Sequence, residues 1–257
     1  MTDDLLYERK GPIGYVTFNR PQARNAFTFA MYDRLREVFE NVPNEDGLKV
    51  LVLTGAGEKA FAAGTDISEF RAFSKPEDAI AYEERGNRLM SLIERTPIPT
   101  IAAIAGACTG GGAGIATACD LRIAMKNVRI GFPIARTLGN CLSMDNYARL
   151  AANLGISRAK EMIFTARLLG ADEALAAGFL CEVVDDHATL QARATELAET
   201  LAGHAPLTLA ATKEAFRRLR DGNREGQDLI LSCYMSQDFK EGMEAFLAKR
   251  PPVWTGK

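Results

Sequence analysis

Residues 97–124 read PIPTIAAIAGACTGGGAGIATACDLRIA, and their order sets the architecture. Pro97 and Pro99 punctuate the end of a helical stretch, and Thr100 to Ile104 is a continuous apolar run of strand length. A glycine-rich turn follows, Cys108-Thr109-Gly110-Gly111-Gly112-Ala113-Gly114, and leads into helix-compatible Ile115 to Cys119. Leu121 to Ala124 then reads as the next buried strand. A strand, turn, helix and strand in succession predict a right-handed β-α crossover in a parallel sheet.

The same alternation extends to both sides. Val50 to Leu53, closed by Gly55, is a second buried strand, and Glu83 to Ile93 has a helical pattern. Met31, Leu35, Val38 and Phe39 recur at helical spacing between Thr28 and Phe39, before a turn at Asn44 to Gly47. Tyr7 to Asn19 reads as a hairpin around Gly11-Pro12. After Ala159 the chain becomes alanine-rich and helical through Ala174-Leu175 to Leu201, and Leu207 to Leu247 holds two or three further helices. The expectation is an α/β fold with residues 1–200 as its core and 201–257 as a helical subdomain.

Composition narrows the function classes. Of 257 residues, 47% are hydrophobic and 25% charged, which is enough apolar side chain for a sizeable core. The net charge of −2 supplies no field for a phosphate backbone, so a nucleic-acid partner is not expected. No apolar run has the length of a membrane span, and Met1-Thr2-Asp3-Asp4 lacks the basic and apolar regions of a signal peptide, so a cytoplasmic protein is expected. Five scattered cysteines with no C-x-x-C pair, and only two histidines, argue against a disulfide framework or a metal site.

Two glycine turns carry the chemistry. Phe61-Ala62-Ala63-Gly64-Thr65-Asp66-Ile67 precedes a short helix that Asp66 can cap, with Glu69 at capping-box spacing; the other is the Gly110 to Gly112 triplet. Glycines let a ligand atom approach main-chain N–H groups directly, and at a helix N-terminus those groups are unpaired and sit at the positive end of the dipole. A pair of such amides can hold an oxygen that gains negative charge, whereas either turn alone is explained by helix punctuation. No Gly-Lys-Ser/Thr follows, which excludes a P-loop, and the spacing is not that of a dinucleotide fingerprint.

FAAGTDI, the 97–124 string, Phe18-Asn19-Arg20-Pro21 with Asn25-Ala26, and Glu241-Gly242-Met243-Glu244-Ala245-Phe246 resemble, in order and over the whole chain, the crotonase (enoyl-CoA hydratase/isomerase) superfamily. The resemblance implies a spiral of β-β-α repeats, a C-terminal helical trimerisation subdomain, and a homotrimer or dimer of trimers. It implies an acyl-CoA thioester as partner, with coenzyme A part of the substrate and no permanently bound cofactor. By motif, the oxyanion hole falls at the amides of Thr65 and Gly111. Ala23, Arg24, Ala63, Thr65, Asp66 and Ile67 flank the CoA, and Phe246 and Lys249 match positions that touch CoA from a neighbouring subunit.

The family's hydratases use two glutamates; here those positions are Gly114, three residues after the hole glycine, and Ile134, after Pro133. Neither can do acid–base work. The substituting group is expected in the polar loop from Ile134 to Asn146, where isomerase and dehalogenase relatives place an aspartate. Asp145 is read as base or nucleophile, or as the N-cap of the helix through Tyr147 to Leu154, with Ser143 the alternative aligned residue. Arg136 is read as a partner for a substrate carboxylate or as a surface charge, and Cys141 as a nucleophile or as a buried inert thiol. Glu69 is close enough in sequence to swing toward the acyl chain, and Glu83 and Glu84 lie on the helix that walls the acyl pocket, where solvation also explains them. The chain is therefore expected to be an acyl-CoA lyase or isomerase. The alternatives are a hydrolase or decarboxylase on the same scaffold, or a homologue without catalysis that serves as scaffold, thioester sensor or RNA-associated protein.

Overall fold

The computed structural model describes residues 4–257; Met1 to Asp3, on which the reading of the N-terminus partly rests, lie outside them. An antiparallel hairpin, β1 (Leu5–Lys10) and β2 (Ile13–Phe18), opens the chain, followed by helix α1 (Phe29–Asn41). Then a unit of two strands and a helix repeats. The first unit is β3 (Val50–Gly55), β4 (Ala60–Ala62) and α2 (Pro76–Arg95), and the second is β5 (Thr100–Ile104), β6 (Ala107–Thr109) and α3 (Gly111–Ala118). The third is β7 (Leu121–Met125), β8 (Arg129–Gly131) and the helices α4 (Met144–Leu154), α5 (Ile156–Thr165) and α6 (Ala171–Ala176). Strand β9 (Glu182–Val184) and helices α7 (His187–Ala202), α8 (Pro206–Arg220), α9 (Gln227–Tyr234) and α10 (Gln237–Leu247) complete it.

Each repeat gives one strand to each of two sheets. The first strands enter a six-stranded sheet in the order β1-β2-β3-β5-β7-β9, parallel from β2 onward, and the second strands form a parallel three-stranded sheet β4-β6-β8. The chain thus winds as the spiral of β-β-α turns that the sequence implied. The hairpin and the strands at 50, 100 and 121 stand where the sequence placed them, and the region from Leu207 to Leu247 holds three helices.

Both faces of the large sheet are covered at its centre, which is why β3 and β5 read as unbroken apolar runs. Val50, Val52, Ile101, Ala103 and Ile123 face Leu190, Ala194 and Ala198 of α7. Their neighbours Leu51, Leu53, Ala102 and Ile104 point the other way, into the main core with Phe18, Phe27, Leu35, Phe61 and Ile93. Helix α8 is fastened to this body by Lys213, whose ammonium donates to the Asp120 carboxylate at 2.7 Å and to the Ile98 carbonyl at 3.2 Å.

The three strands of the small sheet went unread in the sequence, as did β9, which interrupts the stretch read as helical from Ala159 to Leu201, and the glycine triplet is not a plain turn. Gly110 is the N-cap, with φ of 51°, while Gly111 and Gly112 already belong to α3. The reason is contact. A Cβ on Gly112 would stand 2.4 Å from the carbonyl oxygen of Ala62 and 2.7 Å from its Cβ, so glycine alone lets α3 lie against the end of β4. Gly112→Ala is expected to lower stability by about 1–3 kcal/mol, as overpacking against a fixed backbone does. The midpoint of urea unfolding checks this.

Candidate active site

Strands β4 and β6 are parallel neighbours, so the turns that leave their C-terminal ends lie side by side. A Cβ on Gly64 would be 3.4 Å from the Thr109 carbonyl oxygen and 3.9 Å from the Gly111 nitrogen. In the first turn Phe27 donates to the Gly64 carbonyl and accepts from the Asp66 amide, both at 2.8 Å. Because a trans peptide points its N–H opposite to its C=O, the Thr65 N–H faces away from Phe27. In the second turn the Gly110 carbonyl accepts from Gly114 at 2.9 Å, which turns the Gly111 N–H out of the helix. Among the described residues neither amide donates a hydrogen bond.

Both turns open into a cavity of about 400 Å³. Its walls are largely apolar, with Phe70, Met90, Phe132, Ile134, Leu138, Leu142 and Leu168 among them. Gly114 lines it as well, and a Cβ there would meet the Met90 Cε at 3.1 Å. Helix α2 supplies Tyr82, Glu83, Gly86 and Met90, which recur at helical spacing and share one face.

A cluster of hydroxyls ties the first turn to two helices. Thr65 Oγ1 is 2.9 Å from the Tyr32 hydroxyl of α1 and 2.8 Å from the Tyr82 hydroxyl of α2. The Tyr32 hydroxyl also rests against Gly111, where a Cβ would stand only 2.1 Å away. Burial pushes both phenols above their usual range, so they stay protonated. Glu83 is half-buried. Desolvation pushes its carboxyl above the ordinary carboxylate range, partly offset by the Ser143 N–H, which donates to it at 3.1 Å.

The chain also matches the family model described as "Enoyl-CoA hydratase/isomerase" over residues 8–257. A short-chain-enoyl-CoA hydratase of Clostridium acetobutylicum is 34% identical over 256 residues, 96% of each chain. A carnitinyl-CoA dehydratase of Citrobacter koseri is 34% identical over the full length of both. Among solved structures, an enoyl-CoA hydratase/carnithine racemase from Magnetospirillum magneticum superposes with a TM-score of 0.92 at 34% identity, covering 100% of this chain and 97% of that one. The chain belongs to the enoyl-CoA hydratase/isomerase family, the crotonase superfamily.

The other residues expected from the crotonase resemblance are distributed unevenly. Arg24, Ala63, Thr65 and Ile67 line the cavity with Gly111, Gly114 and Ile134. Arg24 adopts a left-handed conformation with φ of 50°, and its carbonyl accepts from the Ala63 amide at 3.0 Å, which fastens it beside the first turn. Ala23 ends the adjoining 3-10 turn without lining the cavity. Asp66 also stays outside the lining. It caps the turn Ile67–Ala72 through the Ser68 amide and pairs with Arg20, and these contacts hold its carboxyl below the usual range, the Ser68 bonds most strongly. Phe246 is 85% exposed at the end of α10, and Lys249 follows it, exposed, with φ of 53°.

The loop from Ile134 to Asn146 corrects three expectations. Asp145 is exposed on the first turn of α4 and does not line the cavity. Nor does it cap the helix: the N-cap is Ser143, whose Oγ accepts from the Asn146 amide and donates to Asn87 Oδ1 at 2.6 Å. Cys141 is exposed, not a buried thiol, whereas Arg136, exposed outside the lining, fits its reading as a surface charge. Thr65→Val, which removes the hydroxyl shared by the two phenols, is expected to cost about 1–2 kcal/mol in urea unfolding, while Thr65→Ser stays close to the parent.

Proposed function

We propose that the cavity receives an acyl-CoA thioester with its carbonyl oxygen between the Thr65 and Gly111 amides, and that the chain is a lyase or isomerase working through a thioester enolate. The observation that carries this reading is the pair of undonated amides opening side by side into one apolar cavity. Preorganised donors in a water-poor site are worth about 2.7–4 kcal/mol each where charge develops on the oxygen. Coenzyme A enters with the substrate, and Arg24, Ala63 and Ile67 stand at the mouth where it would lie.

Gly114 and Ile134 take the places of the two hydratase glutamates, so ordinary hydration lacks its usual acid–base pair. A decarboxylase or hydrolase reading leans on Arg136, which is exposed outside the cavity lining. Isotope-edited infrared spectroscopy of bound crotonyl-CoA tests the hole directly: the thioester carbonyl stretch is expected to move to lower wavenumber. A bound thioester whose stretch equals that in solution would overturn the two-amide assignment, and no binding would overturn the acyl-CoA reading as a whole.

We further propose a cytoplasmic homotrimer or dimer of trimers, assembled through the C-terminal helices. Phe216, Ile230, Leu231, Tyr234, Met235 and Leu247 on α8 to α10 and the turn after α9 are all more than half exposed, apolar side chains that an assembly would cover. In such an assembly Phe246 and Lys249 reach the CoA of a neighbouring subunit. Among the described residues no helix is long and apolar enough to cross a membrane. Sedimentation equilibrium is expected to give three or six times the chain mass; a monomer at micromolar concentration would rule the assembly out.

A further inference from the structure

Acid–base chemistry on a thioester requires a group that can accept a proton inside the cavity. Among the described residues lining it, Glu83 is the one carboxylate, and no aspartate, histidine or cysteine is present. The two phenols there are held protonated by burial. Arg24 and Arg85 carry fixed positive charge, and Arg85 is paired with Asp33 at 2.6 Å.

Glu83 is also held in place. The Ser143 N–H donates to Oε2 from the loop ahead of α4, and the Ser143 hydroxyl bonds Asn87, one turn further along α2. Its neighbour Tyr82 bonds Thr65 Oγ1, so the residue before Glu83 is anchored on the oxyanion hole itself. The helix that carries the carboxylate is therefore registered against the amides that would hold the carbonyl.

We propose that Glu83 is the catalytic acid–base group of this site, removing a proton from the carbon next to the thioester carbonyl and returning it to the acyl chain. This rests on the acyl-thioester reading above. The C–H bond breaks, its electron pair becomes the double bond of the enolate, and the negative charge settles on the oxygen between the Thr65 and Gly111 amides. The proton bonds to Glu83, which becomes a neutral acid. Return to the same carbon exchanges the proton; return to the γ-carbon of a 3-enoyl thioester shifts the double bond into conjugation. Atoms and electrons balance with no second carboxylate and no co-reactant, so a one-carboxylate cavity suits a proton shift along an unsaturated acyl chain.

The groups that interact with Glu83 are Tyr82 on its own helix, Tyr32 from α1 and the Ser143 amide, and Arg24 and Arg85 also line the cavity. The test follows two reactions of the full-length protein: deuterium uptake at Cα of butyryl-CoA in D2O, and conversion of 3-butenoyl-CoA to the conjugated isomer. Glu83→Gln preserves the acceptor for the Ser143 amide and should lower both rates at least about 100-fold, with butyryl-CoA affinity by calorimetry unchanged. Glu83→Asp should be slower than the parent yet keep its pH dependence, a rise with pH whose midpoint lies above the ordinary carboxylate range; Glu83→Gln should lose that rise. Parental rates in a folded Glu83→Gln variant would overturn the assignment. So would a parent protein that binds butyryl-CoA but catalyses neither reaction, leaving the oxyanion hole standing. Failure to bind would remove both.

Discussion

The parallel pairing of β4 with β6 is the constraint on which the site depends. Each strand is only three residues long, and each ends in a turn that presents one free N–H. Neighbouring strands run about 4.8 Å apart, and one oxygen that accepts two hydrogen bonds of about 2.9 Å can bridge donors at that spacing. Two amides more than 40 residues apart in sequence thereby become a single binding element. The glycines around them serve this geometry directly: Gly112 lets α3 close on Ala62, and Gly111 leaves room for the Tyr32 hydroxyl.

The centre of the large sheet was legible because its strands are buried on both faces, which erases polar alternation and leaves runs such as Val50 to Leu53. The small sheet was not. Ala-Phe-Ala, Ala-Cys-Thr and Arg-Ile-Gly are too short to show a period, and their partners lie a whole repeat away in sequence. The two turns were singled out through their glycines, since a missing Cβ is visible in sequence even when the strand before it is not. The helix start at Gly111 was missed because local propensity disfavours glycine there, and the close contact with β4 overrides that preference.

The proposed acid–base group was hidden for the opposite reason. Asp145 attracted the reading because relatives implied by the resemblance place an aspartate in this loop, and because aspartate is a favoured helix N-cap. Ser143 wins the cap, since its backbone and hydroxyl are also engaged by Glu83 and Asn87 of α2. Glu83 sits between Tyr82 and Glu84 in a charged stretch that sequence alone explains as solvated. What marks it is the face it shares with Gly86 and Met90, and that face is recognisable only once the cavity is known.

The apolar walls act on the two ends of the chemistry in opposite senses. Excluding water strengthens the hydrogen bonds of the Thr65 and Gly111 amides to a developing oxyanion, because the local dielectric falls. The same exclusion disfavours the charged form of Glu83 and raises its carboxyl above the ordinary carboxylate range. The Ser143 amide, which donates to the carboxylate, works against that rise. A glutamate at position 114 or 134 would bring a second negative charge into the same small volume. Glycine and isoleucine there leave one titrating group opposite one pair of donors, an arrangement that favours moving a single proton over delivering water.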